Sequence, residues 1–288
     1  MASLKEVKTR IASVNNTRKI TSAMKMVASS KLHRAQQAIE NMRPYEQRLT
    51  RMMTAFVGSQ EGDLNTPYAA VRPVKRVAIV IYTSNSSLCG GFNANAIRVL
   101  RHKVAAYKED GVEVARVVAL GRKGADAARK LGFADTGDYT RLMDHPVFQP
   151  AAEIAEELMQ QFVSGEIDKV DIVYHHFKSS ASQILTEETF LPVQLPKTEK
   201  PDGVAADYIV EPSRQAVVEQ LIPSVLRLQL FTALLDSLAS EHAARVIAMQ
   251  IATDNADELL QELTLTYNKT RQQAITTELL DIVGGSMQ

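Results

Sequence analysis

Apolar side chains recur at steps of three and four through the first 57 residues. They run Leu4, Val7, Ile11, Val14, then Ile20, Met24, Val27, then Leu32, Ala35, Ile39, Met42, Tyr45, Leu49, Met52 and Phe56. That spacing makes one narrow stripe on a helix. Two breaks in it read as register shifts, which locally over- or underwind a coiled coil. Ser3 with Glu6 reads as a capping box, and Gly58 as a C-cap. Pro44 removes a backbone donor and is a candidate kink. Residues 4–57 as one helix would span roughly 80 Å.

The end of the chain repeats the pattern. Its stripe runs Leu221, Val225, Leu228, Leu235, Leu238, Val246, Met249, Ala256, Leu260, Leu263, Tyr267, Ala274, Leu279 and Ile282. The spacing predicts a helix from near Ser213, after Pro212, to the stop at Gly284-Gly285, with Pro223 as a second candidate kink. Its length would be on the order of 100 Å. Two such helices outrun the 130-odd residues between them, and narrow stripes suit one partner each. An antiparallel pairing of the two follows, because the middle must return the chain. Seam residues contributing about 1.5–3 kcal/mol each before entropy is subtracted make a stiff rod feasible. A bare two-helix rod still exposes much of itself, which predicts a partner wrapped around it.

The middle alternates strands and helices. Val77 to Tyr82 is a continuous apolar run, the mark of a strand buried on both faces. A helix is expected from Asn93 to Glu109, a strand from Val114 to Leu120, and helices over Arg122–Leu131 and Ala151–Val163. Further strands fall at Val170–His175 and Ile184–Val193, and the proline-rich stretch Pro192–Asp207 reads as a loop. Such alternation implies an α/β domain with a mostly parallel sheet covered by helices. The expected organisation is therefore a helix over 1–58, an α/β domain over 74–200 and a helix over 212–285.

Composition adds exclusions. With 33 basic and 33 acidic residues among 288, the chain has no net charge to suit it as a polyelectrolyte binder. Charge is uneven locally: residues 1–57 carry a net +8 and the last 39 a net −4, an electrostatic match if the two lie side by side. The lone Cys89 excludes an internal disulfide and a cysteine zinc cluster. No segment reads as able to span a bilayer, which needs about 20 predominantly apolar residues; the longest uncharged run, Val77 to Ile97, is broken by Ser, Thr, Asn and Gly. The Lys-, Arg- and Ser-rich start has the composition of a transit peptide, but its seam continues into the following helix, so it reads as structure.

No residue set points to catalysis. The turn Ser84–Asn93 joins a strand to a helix, where glycines can bring amides to a phosphate, but no phosphate-binding glycine signature is present. Cys89 has no nearby histidine to activate it and reads as a small buried residue. His175 and His176 alternate across a strand, so they point to opposite faces and make a poor metal pair. No cofactor, metal or catalytic residue is assigned. A basic coiled-coil scaffold for nucleic acid and a nucleotide-dependent enzyme built on the middle domain remain as competing readings.

Three stretches carry a resemblance: Lys8–Leu32 (KTRIASVNNTRKITSAMKMVASSKL), Leu88–Asn93 (LCGGFN), and the C-terminal run ASEHAARVIAMQIATDNADELLQELTLTYNKTRQQAITTELLDIVGG. Together they resemble the gamma subunits of bacterial-type rotary F-type ATP synthases, in order and over essentially the whole chain. The resemblance implies a Rossmann-like middle domain below an antiparallel coiled coil that sits, in single copy, inside a ring of alternating alpha and beta subunits. It implies the epsilon subunit and the membrane c ring as further partners, and catalytic sites on beta rather than on this chain. By position it implies alpha/beta-ring contacts at Lys19, Met24, Lys25, Arg271, Gln272 and Thr276. It implies a foot at Tyr208 and Glu211, near epsilon and the c ring. Asn85-Ser86-Ser87 stands where many relatives have a charged Asp-Arg/Lys-Gly, and Lys25 where some have Glu. The inserted cysteine pair of chloroplast relatives is missing, which argues against thiol control. The expected setting is the cytoplasmic face of a bacterial plasma membrane, as a peripheral subunit.

Overall fold

The structure, a computed structural model, describes residues 3–58, 66–134, 136–194, 211 and 213–285. The elements in order are α1 (Leu4–Gly58), a 3-10 turn (Pro67–Ala69), β1 (Arg76–Tyr82), α2 (Phe92–Glu109), β2 (Glu113–Leu120), α3 (Arg122–Lys130), α4 (Thr140–Asp144), α5 (Phe148–Ser164), β3 (Lys169–Ser179), β4 (Ser182–Leu191) and α6 (Arg214–Gly285). The chain divides into two compact units: Met1–Ser30 with Arg245–Gln288, and Lys31–Ala244.

The first unit is an antiparallel helix pair. Arg18 Nη1 meets Asp257 Oδ1 at 2.8 Å, the hydroxyls of Thr21 and Thr253 are 2.8 Å apart, and Lys25 Nζ donates to Gln250 Oε1 at 2.5 Å. Numbers rise along α1 as they fall along α6, which fixes the direction. The helix starts with Ser3 Oγ accepting the Glu6 amide at 3.2 Å, the N-cap half of a capping box.

The seam differs from the expected one in the middle of this unit. Ile20 and Val27 are 60% and 58% exposed, whereas Thr21 and Ala28 are buried. The inward positions continue from Val7, Ile11 and Val14 through Arg18, Thr21, Lys25 and Ala28. These steps alternate three and four without a break. The register therefore does not shift; it is carried across two turns by polar and small residues that pair with polar residues on α6. A search for apolar side chains alone misses such a seam and moves to the neighbouring outward positions.

The second unit has a four-stranded sheet in the order β2-β1-β3-β4. β1 is parallel to β2 and β3, and β4 returns antiparallel to β3. Alternate residues of β1 serve the two faces. Val77, Ile79 and Ile81 pack with Ala96 and Leu100 of α2 and with Ala125 and Ala128 of α3. Ala78, Val80 and Tyr82 pack with Ile154, Leu158 and Phe162 of α5, and with Ile222, Leu226 and Leu234 of α6. Burial of both faces explains the unbroken apolar run in β1.

The long helices here do more than pair with each other. From Leu221 to Ala243 most of α6 is buried, and Ile39, Met42 and Leu49 of α1 join the same core. A single narrow stripe does not describe these turns: they form a layer of the α/β unit. Burial also accounts for an apolar window in α6 that is long and apolar enough to cross a membrane, since 61% of that window is inside the protein. The expectation that no segment has the composition of a span is corrected to that extent. Both α1 and α6 run on through Pro44 and Pro223 as continuous helices. Ser213 caps α6, its Oγ accepting the Ala216 amide at 3.2 Å.

Candidate functional site

The strand–helix turn after β1 is tied down from within. Asn93 Oδ1 accepts the Ser84 amide at 2.9 Å, and Asn93 Nδ2 donates to Ser84 Oγ at 2.7 Å and to Cys89 Sγ at 3.1 Å. Asn85 Nδ2 donates to the Thr140 carbonyl at 2.8 Å, and Asn85 Oδ1 accepts the Arg122 amide at 3.1 Å. Across the next strand, Gly121 approaches β1 so closely that a Cβ would lie 2.0 Å from the Thr83 carbonyl oxygen, and its φ is +106°. Only glycine suits that position. Cys89 is buried, as expected of a small packing residue. The turn instead presents Leu88, exposed and at φ +68°.

His175 and His176 point to opposite faces. His175 is buried against Phe92, ring centroids 4.3 Å apart, and burial lowers its pKa to about 4. His176 is exposed and lies 2.6 Å from Asp236. Among the described residues, no group of three or more His, Cys, Asp or Glu side chains is placed to hold a metal.

A buried ion cluster pins α2 to the sheet. Asp171 on β3 accepts from Tyr107 Oη at 2.5 Å, Lys103 Nζ at 3.1 Å and Lys169 Nζ at 3.1 Å. Burial pushes this carboxyl up, but the Tyr107 hydroxyl and the two ammonium groups outweigh it and hold it below the usual carboxylate range. Asp168 does the same at the foot of β1, accepting the Lys75 and Arg76 amides at 3.0 and 2.9 Å beside Arg72. Both are fully satisfied and read as structural.

The surfaces with unmet demand lie on the first unit. Carried on at the register of the three cross-pairs, Leu4 at the start of α1 comes opposite about Arg271. Residues 272–285 of α6 then run on alone for roughly 20 Å. Every side chain described from Arg271 to Val283 is exposed, including Ile275, Leu279, Leu280, Ile282 and Val283. The seam expected at Ala274, Leu279 and Ile282 thus meets no partner helix among the described residues. Farther along the pair, Ile20, Met26 and Val27 of α1 and Ile247 and Ile251 of α6 are exposed too. So many exposed apolar side chains mark a surface built for contact.

Of the residues singled out beforehand, Arg271, Gln272 and Thr276 stand together on this single helical end. Thr276 Oγ1 bonds the Gln272 carbonyl at 2.9 Å, a local helical contact. Lys19 is exposed and Met24 half-buried. Lys25 points into the pair toward Gln250, so it belongs to the seam rather than to the free surface. Glu211 is exposed at a bend, and Tyr208 lies outside the described residues. Met26 is exposed, as its sequence position suggested, whereas Ile20 and Val27, placed in the seam by spacing, are outward as well. The signal for the last two was that they break an otherwise regular heptad.

A family model described as ATP synthase matches residues 3–287. The chain is 60% identical to the ATP synthase gamma chain of Phocaeicola vulgatus, over the full length of both. It is 55% identical to that of Bacteroides thetaiotaomicron, again over all of both chains, and 46% identical to that of Flavobacterium johnsoniae over 99% and 98%. Among solved structures it resembles a chain of the Euglena gracilis mitochondrial ATP synthase OSCP/F1/c-ring assembly, with a TM-score of 0.65 at 23% identity, covering 99% of this chain and 93% of that one. A chain of the rotor of the same enzyme gives a TM-score of 0.63 at 23% identity, covering 94% and 98%. These two establish the fold. The nucleic-acid scaffold reading finds no support in any of them.

Proposed function

The chain belongs to the ATP synthase gamma-chain family, and from that premise we propose that it works as the central rotor shaft of an F-type ATP synthase. In this reading the exposed end of α6 and the outer faces of the helix pair sit inside the alpha/beta ring, where the beta subunits carry the catalytic sites. The α/β unit sits toward the epsilon subunit and the c ring, at the cytoplasmic face of the bacterial plasma membrane, with Tyr208 and Glu211 in the foot. The observation that carries the reading is the run of α6 beyond α1, with apolar side chains exposed over its last three turns.

The geometry supplies what a shaft requires. An antiparallel pair held by an unbroken heptad is stiff in bending, so rotation at one end reaches the other. Its cross-section is asymmetric: one helix ends before the other, and apolar and charged side chains alternate around it. Turning such a body presents different faces to each surrounding subunit. Differential contact is what shifts a conformational equilibrium, so each beta subunit is biased in turn between open and closed forms. Contacts that must slide have to be weak individually. Exposed charges such as Lys19 and Arg271 suit this, because surface ion pairs contribute about 0–1 kcal/mol and are screened by salt.

The test is purification of the tagged chain from its host membranes in mild detergent, with native mass and partner identification. One copy recovered with three alpha and three beta subunits and ATPase activity supports the shaft. Recovery alone, or with nucleic acid, overturns it.

A further inference from the structure

A cavity of about 870 Å³ lies in the second unit, walled by α1, β3, β4 and α6. That is a size typical of small-molecule sites. Phe190 of β4, Ile222 and Leu226 of α6 and Leu49 of α1 form its apolar lining. Arg43, Glu46 and Lys178 line it too, and all three are exposed, so they mark its mouth.

Glu188 stands inside, half-buried. Side chains alternate along β4, so Glu188 shares a face with Phe190. It lies opposite Ile172 in the β3–β4 ladder, and Ile172, Tyr174 and Phe190 are buried members of the core. Two neutral donors orient the carboxylate. The Tyr174 hydroxyl donates to Oε1 at 3.0 Å and Gln229 Nε2 to Oε2 at 3.4 Å. Burial, and then the charge of Glu188, push the Tyr174 hydroxyl above its ordinary range, so it keeps its proton and stays a donor. A carboxylate can accept about four hydrogen bonds, which leaves Glu188 with capacity to spare.

The other carboxylates of the wall already have cationic or ionisable neighbours. Asp236 Oδ2 lies 2.6 Å from His176 Nδ1. Glu187 meets Lys103 Nζ at 3.0 Å. Glu46, at the mouth, is in the field of Arg43. Among the described residues Glu188 is paired with no cation: its two partners are neutral.

We propose that this cavity binds a small organic cation with an apolar body, an alkyl- or arylalkyl-amine, with its ammonium on Glu188 and its body along Phe190, Ile222 and Leu226. The ammonium brings the charge and the donors that Tyr174 and Gln229 do not supply. A neutral molecule of the same shape would fill the apolar part but strip water from a carboxylate left without a cation, which is costly. An anion would add repulsion. The site therefore selects for positive charge. A ligand seated there touches the sheet and both long helices, so its binding holds α1 and α6 more firmly to β3 and β4. All of these residues belong to the second unit, and the site stands whether or not the chain works as a shaft.

Equilibrium dialysis of the purified full-length chain near neutral pH, against phenylbutylammonium, uncharged phenylbutanol and anionic phenylbutyrate, tests the site. The ammonium is expected to bind about tenfold more tightly than the alcohol, the scale of one hydrogen bond to a charged group, and phenylbutyrate more weakly than either. Glu188→Gln should bring the ammonium down to the level of the alcohol and leave the alcohol unchanged. Val225→Phe, at a half-buried position on the same wall, should weaken the ammonium and the alcohol alike by filling the space. The order of the three probes on the unaltered chain decides the matter even where a variant fails to fold. Equal affinities for all three, retention of none at millimolar concentration, or undiminished ammonium binding by folded Glu188→Gln overturns the site.

Discussion

The hydroxyl of Tyr82 donates to the carbonyl oxygen of Leu230 at 2.8 Å, joining the end of β1 to α6 inside the core. The bond is buried, and the same ring meets Tyr174 edge-on with centroids 6.5 Å apart. Tyr82→Phe keeps the ring contact and removes one neutral hydrogen bond. It is expected to cost about 1 kcal/mol. For a unit of this size that is a fall of roughly 2–4 °C in thermal midpoint. No measurable change on a melt would mean that the bond contributes nothing.

Asp171 gathers Tyr107, Lys103 and Lys169 on one buried carboxylate. Asp171→Ala removes the carboxylate shared by Lys103, Lys169 and Tyr107, leaving Lys103 to Glu187 and Lys169 to the Tyr107 hydroxyl in a half-buried setting. The expected loss is about 3–5 kcal/mol, measured by denaturant unfolding, with Asp171→Asn between that and wild type. A loss below about 1 kcal/mol would show that water takes over the two lysines.

Acid stability should fall in two stages. His175 is buried, and burial lowers its pKa from 6.5 to about 4. The folded chain binds this proton less readily than the unfolded chain, so stability is present above pH 6.5 and lost as pH falls toward 4. That window accounts for roughly 3 kcal/mol. Asp171 and Asp168, both held below the carboxylate range, add a second loss below about pH 4. Unfolding free energy followed from pH 7 to 4 checks the first stage. His175→Gln should be nearly flat over that window, and an unchanged slope would remove His175 from the account.

Arg271 stands where α6 loses its partner helix, with an exposed side chain. Arg271→Glu should leave the thermal midpoint within about 1 °C, because exposed substitutions cost within ±0.5 kcal/mol. It should nevertheless impair coupled ATP synthesis by the reconstituted complex. Normal coupling in this variant would remove Arg271 from the contact surface.

Much of the architecture is legible in the sequence because it rests on periodicity. The two long helices, β1 and the α/β alternation all follow from runs of apolar residues. The seam through Thr21 and Lys25 was not legible, since its stabilisation comes from pairing with Thr253 and Gln250 more than 220 residues away. Nor was the burial of α6 around Leu226 and Leu234, where a helix that also forms a layer looks, in one dimension, like a stripe with extra apolar residues. The short α4 at Thr140–Asp144 has too few turns to show a period. The antiparallel direction of β4 was likewise invisible, because an alternating strand carries no mark of its direction. The Asp171 cluster joins residues from α2 and β3 that only the fold brings together. Of the positions the resemblance suggested as ring contacts, Arg271, Gln272 and Thr276 are exposed on α6, while Lys25 turns inward because its helix face is set by the heptad rather than by its charge.

A shaft of this kind must turn inside its ring. With the alpha/beta ring of the purified complex fixed to a surface, a bead attached to the α/β unit should rotate in one direction when ATP is added, advancing in three equal steps per turn. Steady ATP hydrolysis with a stationary bead would contradict the shaft.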